Sequence, residues 1–217
     1  MLEQYSNNDL FIFNGLSEEK NYLNKMSNNN DKLMIIDSTE YIKLDTINSI
    51  EELWLEPNNL LTIANNIRKG FKEYIDSTYL TDKIDENYES LKIKLTNLDG
   101  KYFSTIKKAS DTSIIVSDDA FLFLEKYGLN VISLDPDTVK EKKINEAKEL
   151  LKDGSCKYVF IKHKEDNEDI NDFIEKTNAD TIELYTKTNL KDINIDQNNY
   201  IALMNQNLEN FKLELYK

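Results

Sequence analysis

Two adjacent carboxylates, Asp118 and Asp119, stand in "SIIVSDDAFLFLEKYG", residues 113–128, where an apolar strand pattern gives way to an apolar helical one. Neighbouring carboxylates repel each other unless donors, solvent or a cation satisfy them, so the pair is a candidate cation site. Asp119 is well placed as the N-cap of a helix over 120–127, which leaves Asp118 to face either solvent or a cation. In an open parallel sheet, ligands sit outside the carboxyl ends of the strands. The residues expected at those ends are Asn14 and Gly15, Asp37 and Ser38, Ser117 to Asp119, Asp135 and Asp137, Lys162 to Lys164, and Tyr185. Asp135 precedes Pro136, a context that starts turns, and Asp37 reads as a turn or cap residue. His163, between two lysines, reads as a solvated loop histidine.

The composition narrows the chemistry. The 217 residues contain one Cys and one His. A structural zinc site takes about four Cys/His ligands and a catalytic one about three. A metal site here must therefore be built mainly from carboxylates, carbonyls and water, which suit Mn, Ca or Mg better than Zn or Cu. A single Cys also excludes an intrachain disulfide. The net charge of −13 argues against a nucleic-acid partner, which would need clustered Lys and Arg. The amino terminus, "MLEQYSNNDL", reads as neither signal peptide nor membrane anchor, and no stretch approaches about 18 continuous apolar residues. Motifs of nucleophile-elbow, P-loop or dinucleotide-binding type are absent, so an enzyme on an α/β scaffold is a minor alternative.

The elements that must position these residues follow from periodicity. "LFIFNG" (10–15) and "KLMIIDS" (32–38) read as strands flanking a short helix over 18–26. Ser49 and Glu52 fit a capping box, and Glu56 precedes Pro57 at a helix start. From Pro57, the positions Leu60, Leu61, Ala64, Ile67, Phe71, Tyr74 and Ile75 define an amphipathic helix. Ile84, Tyr88, Leu91, Leu95, Leu98, Tyr102 and Ile106 lie on one stripe, predicting a helix over 84–108 about 35 Å long. Strand–helix alternation then runs through "TSIIVSD", "NVISLD", "KYVFIK" and "DTIELY", with helices over 119–127, 138–152, 166–177 and 196–216. The expected fold is α/β: a lobe over 1–83, a long connecting helix over 84–110, and a lobe over 111–217, each lobe with a parallel sheet. Trp54 is expected in the core or at a lobe interface.

The order "LFIFNGL", "ELWLEPNNLLTIANNI", long helix, "IIVSDDAFLFLEKYGLNVISL" and closing "NYIALMNQNLENF" resembles the zinc and manganese solute-binding proteins of ABC transporters, some also described as adhesins. The resemblance covers 8–217. It implies two α/β lobes joined by one rigid helix, with a divalent metal between them. It also implies an ABC permease as partner, an exported and often lipid-anchored monomer, and no enzymatic activity. The family pattern Asp-Pro-His-x-Trp-Leu-Asp-Pro appears here as "IEELWLEP", with Glu52 in place of the His. Val-Ser-His-Asp-Ala-Phe appears as "VSDDAF", with Asp118 in place of the His. The family's last ligand, an Asp after the final strand, aligns with Tyr185 or its neighbours, and the histidine-rich loop is absent. Against the family, this chain starts too late to contain the first His ligand, so an amino-terminal lobe short of a strand is expected. The candidate metal residues are Glu52 and Asp118, with Asp119 and Asp135 in support. Mn or Zn is the metal the family implies, and a hard cation is the one the ligand types favour. The alternative is a metal-free interaction or adhesion module on the same fold.

Overall fold

The computed structural model describes residues 5–43, 50, 53–163, 166–186 and 199–217. The chain divides into two compact units, Met1–Thr96 and Asn97–Lys217.

In the first unit, β1 (Leu10–Phe13) and β2 (Met34–Asp37) pair in parallel, with Phe13 opposite Asp37. The connection is a 3₁₀ helix, Glu18–Tyr22, followed by α1 (Leu23–Asn29). Ser17 caps the 3₁₀ turn, its hydroxyl accepting from the Glu19 N–H. The predicted single helix over 18–26 is thus two pieces. Helix α2 (Pro57–Tyr74) starts at a proline, whose missing N–H costs nothing in a first turn, and packs on β2. Gly70 permits that contact, since a Cβ there would lie 2.5 Å from the Ile36 side chain. Buried Asn66 of α2 donates to the carbonyls of Ser38 and Glu40 and so fixes the chain leaving β2.

Helix α3, Thr78–Lys107, begins six residues earlier than the apolar stripe suggests. Tyr79 and Leu80 in its first turns are exposed, so periodicity could not register them. Asp85 in this first part of α3 pairs with Arg68 at 2.5 Å and Lys72 at 2.6 Å, both from α2. Those two cations hold its carboxyl below the usual range.

The second unit carries a four-stranded parallel sheet ordered β4-β3-β5-β6: β3 is Ser113–Val116, β4 Asn130–Ser133, β5 Tyr158–Lys162 and β6 Asp180–Leu184. The chain leaves β3 to one side for β4 and returns to its other side for β5, so the strand order reverses between β3 and β5. Helices α4 (Glu141–Lys152) and α5 (Glu168–Thr177) cover one face, around a core of Ile115, Ile132, Leu134, Ala147, Val159, Ile170 and Phe173. Across the other face lie α6 (Tyr200–Leu215) and the end of α3. Phe160 meets Phe211 at 5.0 Å between centroids, and buried Tyr102 donates its hydroxyl to the Met204 carbonyl at 2.7 Å. Both faces being covered explains why the strands read as near-continuous apolar runs.

The segment Asp119–Tyr127 is a 3₁₀ helix closed by Gly128 in the left-handed region at φ 102°. The predicted capping box at Ser49 and Glu52, together with Lys164 and positions 196–198 of the predicted last helix, lies outside the described residues. No described helix is long and apolar enough to cross a membrane.

Candidate functional site

The carboxyl edge of the second sheet is built where β3 and β5 end side by side. The Ser117 N–H donates to the Phe160 carbonyl at 2.8 Å, and the Lys162 N–H donates to the Ser117 hydroxyl at 3.2 Å. Fully buried Ser117 thereby closes the sheet at the reversal of strand order and aims the next residue, Asp118, along the edge.

Asp118, not Asp119, is the N-cap. Its backbone is extended, and its Oδ1 accepts the Ala120 N–H at 2.7 Å. The expected helix from 120 is a tighter 3₁₀ turn beginning one residue sooner, which makes Asp119 its first residue and moves the capping role back to Asp118. The other oxygen, Oδ2, lies 2.8 Å from the Lys162 ammonium, with each side chain only 21% exposed. Asp119 turns the other way. Its Oδ2 accepts the Thr138 hydroxyl at 2.7 Å, while its N–H donates to Asp135 Oδ2 at 3.2 Å. Asp135 Oδ1 accepts the Asp137 N–H at 3.0 Å, an Asx turn of the kind Pro136 suggested.

The structure therefore joins Asp119 to Asp135 and joins Asp118 to β5. Glu52 lies outside the described residues. Among the described residues, no group of three or more His, Cys, Asp or Glu side chains is arranged to hold a metal ion. The donor chemistry still suits a hard cation, because a carboxylate offers about four lone-pair sites and each oxygen of Asp118 uses one in these contacts. A divalent ion at Oδ2 would meet the Lys162 ammonium there.

His163 is not the solvated residue expected. Its Nδ1 lies 2.7 Å from Glu183 Oε2 on β6, and its ring lies 4.9 Å from that of Tyr185. Tyr185 is held by its backbone: buried Asn207 of α6 accepts its N–H at 2.8 Å and donates to its carbonyl at 2.9 Å. In the first unit, Asp37 Oδ1 accepts from the Thr39 N–H and hydroxyl and from the Gly15 N–H, joining the ends of β1 and β2. Lys162 is the residue of this edge whose contact with Asp118 sequence reasoning passed over. It stood among the strand-end residues, but only the strand order places it beside Asp118.

Two α/β units, one with a carboxylate at the reversal point of a doubly covered parallel sheet, put that carboxylate at the edge where open α/β sheets bind their ligands. The family model described as zinc-uptake complex component A, periplasmic, matches residues 1–213, and the chain belongs to that family of ABC-transporter solute-binding proteins. The chain is similar in fold to zinc-bound AdcA from Streptococcus pneumoniae, with TM-score 0.72 and 19% identity, covering 100% of this chain and 49% of that one. It therefore spans about half the length of that protein. Against the zinc-bound ZnuA-like domain of AdcA, the TM-score is 0.72 and the identity 20%, covering 100% of this chain and 83% of the domain. A cadmium-bound periplasmic metal-binding protein from Candidatus Liberibacter asiaticus gives TM-score 0.76 at 20% identity, covering 99% of this chain and 83% of that one. No curated protein sequence matches the chain.

Proposed function

We propose that this chain is the cargo-capturing component of an ABC importer for a divalent cation, working outside the cytoplasmic membrane with a permease partner. The observation that carries the reading is the family match over residues 1–213, which includes the whole carboxylate edge. Similar structures are described as binding zinc, cadmium and manganese. Asp118 is the proposed cation-facing carboxylate of the second unit, with Asp119 and Asp135 as its support, and Glu52 is a proposed ligand on sequence grounds alone. Oxygen donors without imidazole favour manganese over zinc. Cation capture needs no covalent step: Asp118 exchanges one positive partner for another.

One observation favours a second reading, a metal-free relative that acts through its surface. Among the described residues, the candidate carboxylates Asp118, Asp119 and Asp135 already accept from protein donors, and Asp118 is ion-paired. A thermal-unfolding series with Mn, Zn, Ca, Mg and chelator, on this chain and on Asp118→Ala, separates the two. A ligand that binds only the folded state stabilises it by about 2.7 kcal/mol at a hundred times its dissociation constant. A midpoint rise with one cation, lost in Asp118→Ala, is the expected result. No rise with any of the cations at millimolar concentration would leave the surface-interaction reading.

A further inference from the structure

We infer that Lys162 is a tethered counter-ion that competes with the divalent cation for Asp118, and so sets how tightly this chain takes its cargo. The inference deepens the proposed function and rests on it. Its basis is the placement of one ammonium. The root of Lys162 is fixed, because β5 pairs residue for residue with β6 through Lys162 and Leu184, and the Lys162 N–H is held by Ser117. The stem then delivers the Nζ to 2.8 Å from Asp118 Oδ2, with both side chains four-fifths buried. The carboxylate is restrained from turning away, since Oδ1 caps the 3₁₀ helix.

A cation arriving at Oδ2 meets a like charge in a poorly solvated place, so it must displace the ammonium. Because the ammonium is on the same chain, it competes at an effective concentration in the millimolar range or above. Monovalent ions from solution cannot match that, whereas a dication gains more from the carboxylate than the ammonium does. The lysine therefore acts as a threshold. Neutralising it while keeping its apolar stem should raise cation affinity, and keeping the charge should not.

The test is calorimetric titration of MnCl₂ into the native chain, Lys162→Met, Lys162→Arg and Asp118→Asn, each first checked for native circular dichroism. Removing a charge-assisted contact worth about 1.5 kcal/mol or more predicts binding at least about tenfold tighter in Lys162→Met. Lys162→Arg should bind no more tightly than the native chain, and Asp118→Asn should bind weakest. Native binding lost in Asp118→Asn but unchanged in Lys162→Met would overturn the threshold and leave the receptor reading intact. Binding in Lys162→Met alone would show that the ammonium excludes the cation outright, which would overturn both its tuning role and cation capture by the native chain. Binding in neither would overturn both.

Discussion

The Lys162 ammonium lies 2.8 Å from the Asp118 carboxylate and bridges the ends of β3 and β5, the neighbouring strands between which the sheet order reverses. The same carboxylate caps the 3₁₀ helix that follows β3. One side chain thus joins a strand end, a helix start and a neighbouring strand, and any cargo it accepts must be traded against those contacts.

The pair should be energetically coupled. Asp118→Ala loses the cap, worth about 1 kcal/mol, and the charge-assisted contact to Lys162 as well, for a total of about 2 kcal/mol. Asp118→Asn keeps a capping oxygen and should lose less. Urea unfolding of Asp118→Asn, Lys162→Met and the double variant should give a coupling energy of about 1 kcal/mol. Strict additivity would mean that the contact contributes nothing.

Two glycines should respond oppositely to alanine. A Cβ on Gly15 would lie 2.0 Å from Asp37 Oδ2 and 2.5 Å from its carboxyl carbon, whereas a Cβ on Gly100 would meet nothing within 4 Å. Gly15→Ala should cost about 1–3 kcal/mol by forcing the β1 and β2 ends apart. Gly100→Ala, inside α3, should add up to about 1 kcal/mol. Trp54, the chain's one tryptophan, lies in the first unit, so fluorescence-monitored unfolding reads the Gly15 variant directly. Equal midpoints for Gly15→Ala and the native chain would show that the carboxylate can move aside.

Glu214 of α6 is fully buried and accepts the N–H groups of Lys157 and Tyr158 at 2.9 and 2.8 Å, with the Lys217 ammonium as its ion-pair partner. It supplies the acceptors that β5 needs at its start. Glu214→Ala removes the acceptor shared by two strand N–H groups and the ion-pair partner of Lys217, and should cost about 1–3 kcal/mol. Glu214→Gln keeps one acceptor and should cost less. Chemical denaturation measures both, and a loss below half a kilocalorie in the alanine variant would contradict the role.

Stability should fall in alkali. Burial, aided by the nearby Glu214 charge, pushes the Cys156 thiol up to about 12 from its ordinary 9.0. Burial also raises the Tyr102 hydroxyl well above its ordinary 10.0. As pH rises past 9 the unfolded chain gives up the thiol proton first, and the native state then holds more protons. Stability is therefore full below about pH 9 and declines towards 12, by up to about 1.4 kcal/mol per pH unit for each group. Cys156→Ala should flatten the decline between 9 and 10, as read by denaturant midpoints at each pH. The native thiol should also resist alkylation at pH 8 until the chain unfolds.

The sequence by itself determined the α/β alternation and the positions of the strands, because each strand is a short apolar run between turn residues and each covering helix carries its own stripe. It also identified the carboxylates at the carboxyl edge and excluded a soft-metal cluster, since residue types set ligand chemistry. Periodicity missed what is local but not apolar: the exposed first turns of α3, and the 3₁₀ geometry that makes Asp118 the cap. The partner of Asp118 was decided only by tertiary structure. Lys162 lies forty-four positions further along the chain, and nothing in either residue's neighbourhood names the other. Their meeting depends on β5 pairing with β3 instead of β4, a long-range pairing that no local pattern specifies. That pairing turns a pair of acidic residues into a carboxylate that already holds a cation of its own.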